Sequence, residues 1–367
     1  MAGARHPWFF RHAAVDGKIV FSEGFGYADL EQPVPVLWPA TKFRFGSVSK
    51  PLTAAALVEL VEQGKLDLDA PIQKYVPSFP DKGAVITSRM LAGHLGGIRH
   101  YKDNEFFNSQ HYDNVVAGLG IFQDDPLVSP PGTKFNYSSY GFNLLSVAIE
   151  KACAEDFLSC MRDLVFSPLG LRSTVADQPS ELIEQRARFY THWKDKPLEN
   201  SPYTDNSYKW AGGGFLSTSE DLVQFGNALL EPGYLKKESL ALLFTSQKTK
   251  AAKRLATAWV GGSRNQSICL APNRLRPDKF GDVRALTQFL LHVAAERIEI
   301  NVLGSQAVSA VFAIHPSASL RLPYPNPIRR PIAGAAESAG VHQSLQQKWP
   351  MAIAQLPVTG KLTCALR

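Results

Sequence analysis

Between Phe45 and Gly64 the sequence commits itself to a helix. Apolar residues Ala54, Leu57, Leu60 and Val61 recur at three- and four-residue steps, and Gly64 stands where a helix C-terminus favours glycine. At the start of this amphipathic pattern, Ser47-Val48-Ser49-Lys50 places a serine three positions before a lysine, so the two share one helical face. A serine hydroxyl is a poor nucleophile at neutral pH. A lysine held close, and desolvated enough to shed its proton, can serve as its base. The same residues also fit a serine cap followed by an exposed lysine, because this spacing arises by chance in most chains of this length. The rest of the chain has to decide between the two.

Composition sets the frame for that decision. With 367 residues, 45% apolar and 20% charged, the chain can bury one large core or two modest ones, and disorder is not the default. Cys153, Cys160, Cys269 and Cys364 show neither C-x-x-C spacing nor a matching histidine pattern, so they read as reduced thiols, with no zinc site and no disulfide framework. No run is long enough for a transmembrane span, and Met1 to Ala14 carries Arg5 and Arg11 without an apolar core or cleavage motif, so no targeting peptide is visible. The net charge of +6 is unevenly spread. Residues 1–250 hold 25 Lys+Arg against 28 Asp+Glu, whereas residues 251–367 hold 14 against 5. A basic tail can bind nucleic acid or an acidic membrane surface, but this one lacks aromatic interleaving, heptads and metal ligands, and its positive charges are scattered. Nucleic acid is therefore not an expected partner.

Along the chain, Asp16-Gly17 before Lys18-Ile19-Val20-Phe21 predicts an early hairpin, although Pro7 and two histidines make its first strand unusual. His94 and His100 flank a glycine-broken turn. Six apart and without a third ligand in view, they fit a structural role better than a metal or base role. Pro130-Pro131-Gly132 starts a turn that delivers Tyr137 to a second helix with Phe142, Leu145, Ala148 and Ile149 on its apolar face. Tyr137 is either core or a phenol placed beside Ser47 and Lys50; Tyr190, Tyr203 and Tyr208 have no such setting. In Lys209-Trp210-Ala211-Gly212-Gly213-Gly214, three glycines let the backbone pass close to a ligand or another strand, and no G-K-[ST] follows to make a phosphate loop. Ser217 and Glu220 fit a capping box for a helix that carries Leu222, Phe225 and Leu229.

Taken together, Ser47-Val48-Ser49-Lys50, Gly64-Lys65-Leu66-Asp67-Leu68-Asp69, Gly97-Ile98-Arg99-His100-Tyr101, Tyr137-Ser138-Ser139-Tyr140-Gly141 and the run from Asp205 to Thr218 resemble the serine β-lactamase and penicillin-binding protein superfamily, over about residues 15–250. The resemblance implies an α/β sandwich: an antiparallel sheet flanked by helices, with a mostly helical insertion at about residues 75–203. It makes Ser47 the acylated nucleophile, Lys50 the group that takes its proton and Tyr137 the relay to the leaving group. Ser139, where the superfamily usually has asparagine, is expected to contact substrate along with Gly213 and Gly214. No cofactor and no metal are implied. The substrate is a peptide or amide, and in animals the resemblance points to a mitochondrial peptidase linked to lipid metabolism.

One departure stands out. The superfamily carries K-T-G or H-T-G on the strand opposite the serine, which supplies one of two backbone N–H groups for the oxyanion. No such triplet follows Leu230, and Val358-Thr359-Gly360 lacks the basic residue. Removing one oxyanion donor typically costs about two to three orders of magnitude in rate. Residues 251–367 are thus expected either to diverge, with Gln288-Phe289-Leu290-Leu291 and Ile298 to Val302 as substitute strands, or to have left the reading frame near Ala252. A chain impaired in this way is expected to act as a scaffold or to assemble with itself.

Overall fold

Strands β1 (Trp8–Val15) and β2 (Lys18–Asp29) form the antiparallel hairpin that the sequence predicts. Its Asp16-Gly17 turn falls outside the residues described by the computed structural model, which are 8–15, 18–37, 39–191, 198–230, 233–245, 247, 249, 288–292, 299–303 and 310–314. Strand β1 begins at Trp8, and Pro7 lies outside the described residues. Pairing shifts register between Ala13 and Ala14, and β3 (Val34–Pro35) extends the sheet beyond β2.

A short strand, β4 (Phe43–Arg44), leads through Phe45 into a 3-10 turn, Gly46–Val48, and straight on into α1 (Ser49–Glu62). Pro51 is tolerated because it sits in the first helical turn, where its missing N–H would have had no partner. The sequence suggests an amphipathic helix; the structure shows one buried on nearly every side. Leu52, Ala54, Ala55, Ala56, Leu57, Val58 and Leu60 are buried together with Ser49, Lys50 and Thr53. The three consecutive alanines fill in what the spaced apolar positions leave open, so this is the central helix of the core. Beyond it the backbone turns left-handed at Gly64 (φ +68°), as the glycine predicts.

Around α1 the remaining helices close. A short helix, α2 (Ser88–Ala92), is capped by Thr87, whose Oγ1 accepts the Met90 N–H at 3.2 Å. In α3 (Ser139–Cys153) the predicted face of Phe142, Leu145, Ala148 and Ile149 is buried, and Ser138 caps the helix by accepting the Gly141 N–H at 2.9 Å. Next come α4 (Phe157–Met161), β5 (Val175–Ala176), β6 (Tyr190–Thr191), β7 (Glu199–Asn200), α5 (Trp210–Gly213) and β8 (Phe215–Ser217). Strand β8 pairs with β4 on one side and β5 on the other, with Phe43 opposite Ser217 and Arg44 opposite Leu216. That pairing positions the site, because it lays the glycine run before β8 against the serine turn after β4.

The same strand corrects one sequence expectation. Helix α6 (Ser219–Leu230) is capped by Thr218, whose Oγ1 meets the Asp221 N–H at 3.3 Å, one residue later than the Ser217–Glu220 pattern suggests. Ser217 is held extended by its pairing with Phe43, and its Oγ lies 2.8 Å from Thr174 Oγ1. Leu222, Phe225 and Leu229 are buried as expected. Helix α7 (Lys237–Phe244) packs on α1. Beyond it, β9 (Gln288–His292) pairs antiparallel with β10 (Glu299–Leu303), the two substitute strands that the sequence offers. Strand β11 (Ala310–Ile314) pairs with β1, giving the order β11-β1-β2-β3. The fold is α/β, with antiparallel sheets and flanking helices.

Cys153 and Cys160 are free thiols; Ala252, Cys269, Cys364 and Val358-Thr359-Gly360 lie outside the described residues. Among the described residues, no helix is long and apolar enough to cross a membrane.

Candidate functional site

The serine turn owes its shape to Gly46, whose φ of +53° suits a residue without Cβ. It presents Ser47 partly exposed, while Lys50, in the first turn of α1, is buried beneath it. The Lys50 Nζ lies 3.1 Å from Ser47 Oγ, 3.0 Å from Ser139 Oγ and 2.5 Å from the Gly212 carbonyl oxygen. The three hydrogens of an ammonium are thereby all placed. Burial pushes the Lys50 pKa below the ordinary lysine range, with the neighbouring Tyr137 phenol acting in the opposite sense. An amine formed by losing one of those protons would keep the Gly212 and Ser139 contacts and turn its lone pair on Ser47.

Tyr137 approaches from the far side. Its hydroxyl donates to Ser47 Oγ at 2.7 Å, and Lys50 Nζ lies 4.9 Å from the centre of its ring. The sequence leaves Tyr137 between core and site; the structure places it, partly exposed, at the site. Ser47, Lys50, Tyr137, Ser139 and the Gly212 carbonyl thus form one connected cluster from three separate stretches of chain. Ser139 stands first in α3 and faces Lys50.

The glycines divide by what lies against them. A Cβ on Gly212 would stand 3.1 Å from the Ser139 carbonyl oxygen and 3.3 Å from Ser139 Cβ, so glycine is what lets the Gly212 carbonyl reach Lys50. Gly213 sits over Gly46, where a Cβ would be 3.4 Å from the carbonyl carbon. Gly214 instead packs inward, with Trp210 Cα 2.8 Å and Asn206 O 3.0 Å from where its Cβ would be. So Gly213 meets the serine turn, and the tightness at Gly214 comes from its own chain. The Lys50 acceptor is Gly212, which the sequence reading passed over within the same glycine run.

His94 and His100 hold no metal-like arrangement with each other. The Ser138 N–H donates to His94 Nδ1 and the Ser139 N–H to His100 Nδ1, each at 3.2 Å. Accepting at Nδ1 leaves the proton of each neutral ring on Nε2. Burial, then the charge of Lys50, pushes the His94 pKa down to about 3 and that of His100 down to about 4. Next to them Arg99 is buried and clamps Glu105 (2.7 Å), Asp125 and the carbonyl oxygens of His100 (3.0 Å) and Ile121 (2.9 Å). Among the described residues no group of three or more His, Cys, Asp and Glu is arranged to hold a metal ion.

The chain is similar to several known proteins. The human mitochondrial serine beta-lactamase-like protein LACTB is 37% identical, over 63% of this chain and 57% of its own length, so the chain spans little more than half of that relative. Among solved structures, a penicillin-binding protein from Bacillus halodurans superposes with a TM-score of 0.64 at 19% identity, covering 92% of this chain and 95% of its own. An octameric penicillin-binding protein homologue from Pyrococcus abyssi does so at 0.57 and 25% identity, over 69% and 59%. The profile of the family described as Beta-lactamase matches residues 9–263, and the chain belongs to that family.

Proposed function

We propose that the chain is a serine hydrolase that cleaves a peptide or amide bond through an acyl-enzyme on Ser47. The observation that carries this reading is the placement of Ser47 Oγ between Lys50 Nζ at 3.1 Å and the Tyr137 hydroxyl at 2.7 Å, with the lysine buried. As Ser47 Oγ bonds to the carbonyl carbon, its proton passes to the neutral Lys50 amine. Tyr137 gives its proton to the leaving nitrogen and recovers one from Lys50; the C–N bond breaks and an ester remains on Ser47. Water then attacks the ester, releasing the acid and returning a proton to Ser47. Ser139, with a shorter reach than asparagine, offers a hydroxyl to the substrate amide.

The finer reading is a mitochondrial protease in the regulation of lipid metabolism. It is supported by the motif run from Asp205 to Thr218 and by the mitochondrial relative at 37% identity. Self-assembly is proposed as well, on the likeness to an octameric homologue. The missing K-T-G or H-T-G triplet favours a second reading, a catalytically impaired homologue acting as a scaffold.

An intact-mass spectrum after exposure to a serine-directed acylating probe, beside a Ser47→Ala control, separates the two readings. A mass gain in the unmutated protein alone is the expected result. No gain in a protein shown to be folded overturns the hydrolase reading in favour of the scaffold.

A further inference from the structure

We propose that His94 and His100 are positioning residues for Tyr137: two imidazole acceptors that take the consecutive N–H groups of Ser138 and Ser139 and wall in the phenol ring, so holding its hydroxyl on Ser47. The inference rests on the reading of Tyr137 as the proton carrier of the site. Tyr137 comes from a partly exposed turn, and its hydroxyl contact with Ser47 does not by itself fix where the ring stands. The next two residues open α3, where the first N–H groups of a helix have no partner within it. A side-chain oxygen is the usual acceptor there. Ser138 Oγ serves so for the Gly141 N–H, and for the Ser138 and Ser139 N–H groups before it the acceptors are two ring nitrogens from one turn, residues 94–100.

The rings also touch the phenol directly. His94 lies 4.5 Å from the Tyr137 ring at 35°, tilted over its face, and His100 lies 5.3 Å away at 83°, edge-on. Behind His94 stand Phe135 at 5.6 Å and Phe142 at 5.5 Å, so that wall is itself backed. The backbone accepts strain for the arrangement: His94 sits at φ +58°, a left-handed position that disfavours a residue with a Cβ. Protonation would turn each acceptor into a donor facing an N–H, and would add charge beside Lys50. Of the charged groups that face the pair, Lys50 from α1 disfavours the charged form of both rings, Lys209 disfavours that of His100, and Glu105 favours that of His100.

Phenylalanine keeps the ring and loses the acceptor, whereas asparagine keeps an acceptor near the place of Nδ1. The experiment compares His94→Phe, His100→Phe, His94→Asn and His100→Asn. It reads single-turnover acylation, the dissociation constant of the probe and the 13Cζ resonance of Tyr137, assigned with Tyr137→Phe. The phenylalanine variants are expected to lose about ten- to a hundredfold in acylation rate, the scale of a misplaced reacting group. Probe affinity should hardly change, the Tyr137 resonance should move, and the asparagine variants should recover most of the rate. Phenylalanine variants that acylate like the unmutated protein, with the resonance unmoved, overturn the inference; urea melts identify a variant that has not folded, and the other histidine then decides. If no probe acylates the folded unmutated protein, the hydrolase reading fails by itself. The Tyr137 resonance then still decides: movement in the phenylalanine but not the asparagine variants sustains the positioning, and no movement overturns it.

Discussion

At the scale of single residues, the burial of Lys50 does the most work. A lysine in water holds its proton until far above neutral pH, and no amount of proximity would make it a base. Enclosed by α1 and the glycine run, Lys50 has its pKa lowered, so the neutral fraction grows as pH rises through a range below the ordinary one. Acylation of Ser47 is therefore expected to rise with pH along a limb lying below that of free lysine. Lys50→Met should lower the acylation rate by about 10²- to 10⁴-fold and remove that limb, as measured by single-turnover rates from pH 5 to 10. Gly212→Ala tests the same amine from its acceptor side. Its methyl would press on Ser139 at 3.1–3.3 Å, shifting both contacts of Lys50 other than Ser47, and a loss of about ten- to a hundredfold in the same assay is expected. The serine and lysine were legible in the sequence because their spacing is local. The Gly212 carbonyl was not, since a backbone acceptor leaves no mark in composition and is selected only by how two distant segments pack.

At the scale of elements, the site is assembled by two joins. One is the pairing of β4 with β8, which brings the glycine run to the serine turn. The other is the turn carrying His94 and His100, which must sit against the start of α3. Gly97 holds that turn: at φ +73° its backbone passes so close to the Ser129 carbonyl oxygen that no Cβ fits, and its own carbonyl accepts the Val128 N–H at 2.9 Å. Gly170 makes a comparison, with a similar φ of +65° but open space around its Cβ position. Gly170→Ala should cost roughly 1–2 kcal/mol for the left-handed backbone alone. Gly97→Ala should cost a further 1–3 kcal/mol or so for the collision, read as a lower urea midpoint. Helices and the hairpin were foreseen where a pattern of apolar steps or an Asp-Gly pair fixes them locally. The true cap of α6 was not, because the pairing of Ser217 across to Phe43 is a long-range constraint that overrides a good local capping box. The reach of His94 and His100 to the amides after Tyr137 was hidden for the same reason: their partners lie about forty residues on, and the spacing between the two histidines says nothing about them.

At the scale of the whole molecule, the buried bases bind the stability of the fold to pH. In the unfolded chain both histidines titrate near 6.5; in the folded protein they do so at about 3 and about 4. Between those values the unfolded chain holds more protons, so stability falls as pH drops from about 6.5 toward 4, and the loss is absent well above about 6.5. Carboxylates whose pKa is lowered in the fold, such as Glu105 beside Arg99 and Asp69 beside Arg89, act in the same direction but only below their unfolded range, near 4.5. From about 4.5 to 6.5 those lowered carboxylates contribute little, while Glu150, Glu220 and Asp221, whose pKa burial raises, act in the opposite sense, so the share of the histidines is the difference between the unmutated protein and a variant without them. At one unit of pH per about 1.4 kcal/mol, each contributes a loss of roughly 2–3 kcal/mol by pH 4.5. The double variant His94→Asn, His100→Asn keeps acceptors for the two amides and has nothing to titrate there. From pH 6.5 to 4.5 its urea midpoint should fall less than that of the unmutated protein, by the loss that the two imidazoles contribute. Parallel slopes for the two proteins would mean that the imidazoles already carry protons in the folded state at pH 6, and so do not accept the Ser138 and Ser139 amides there.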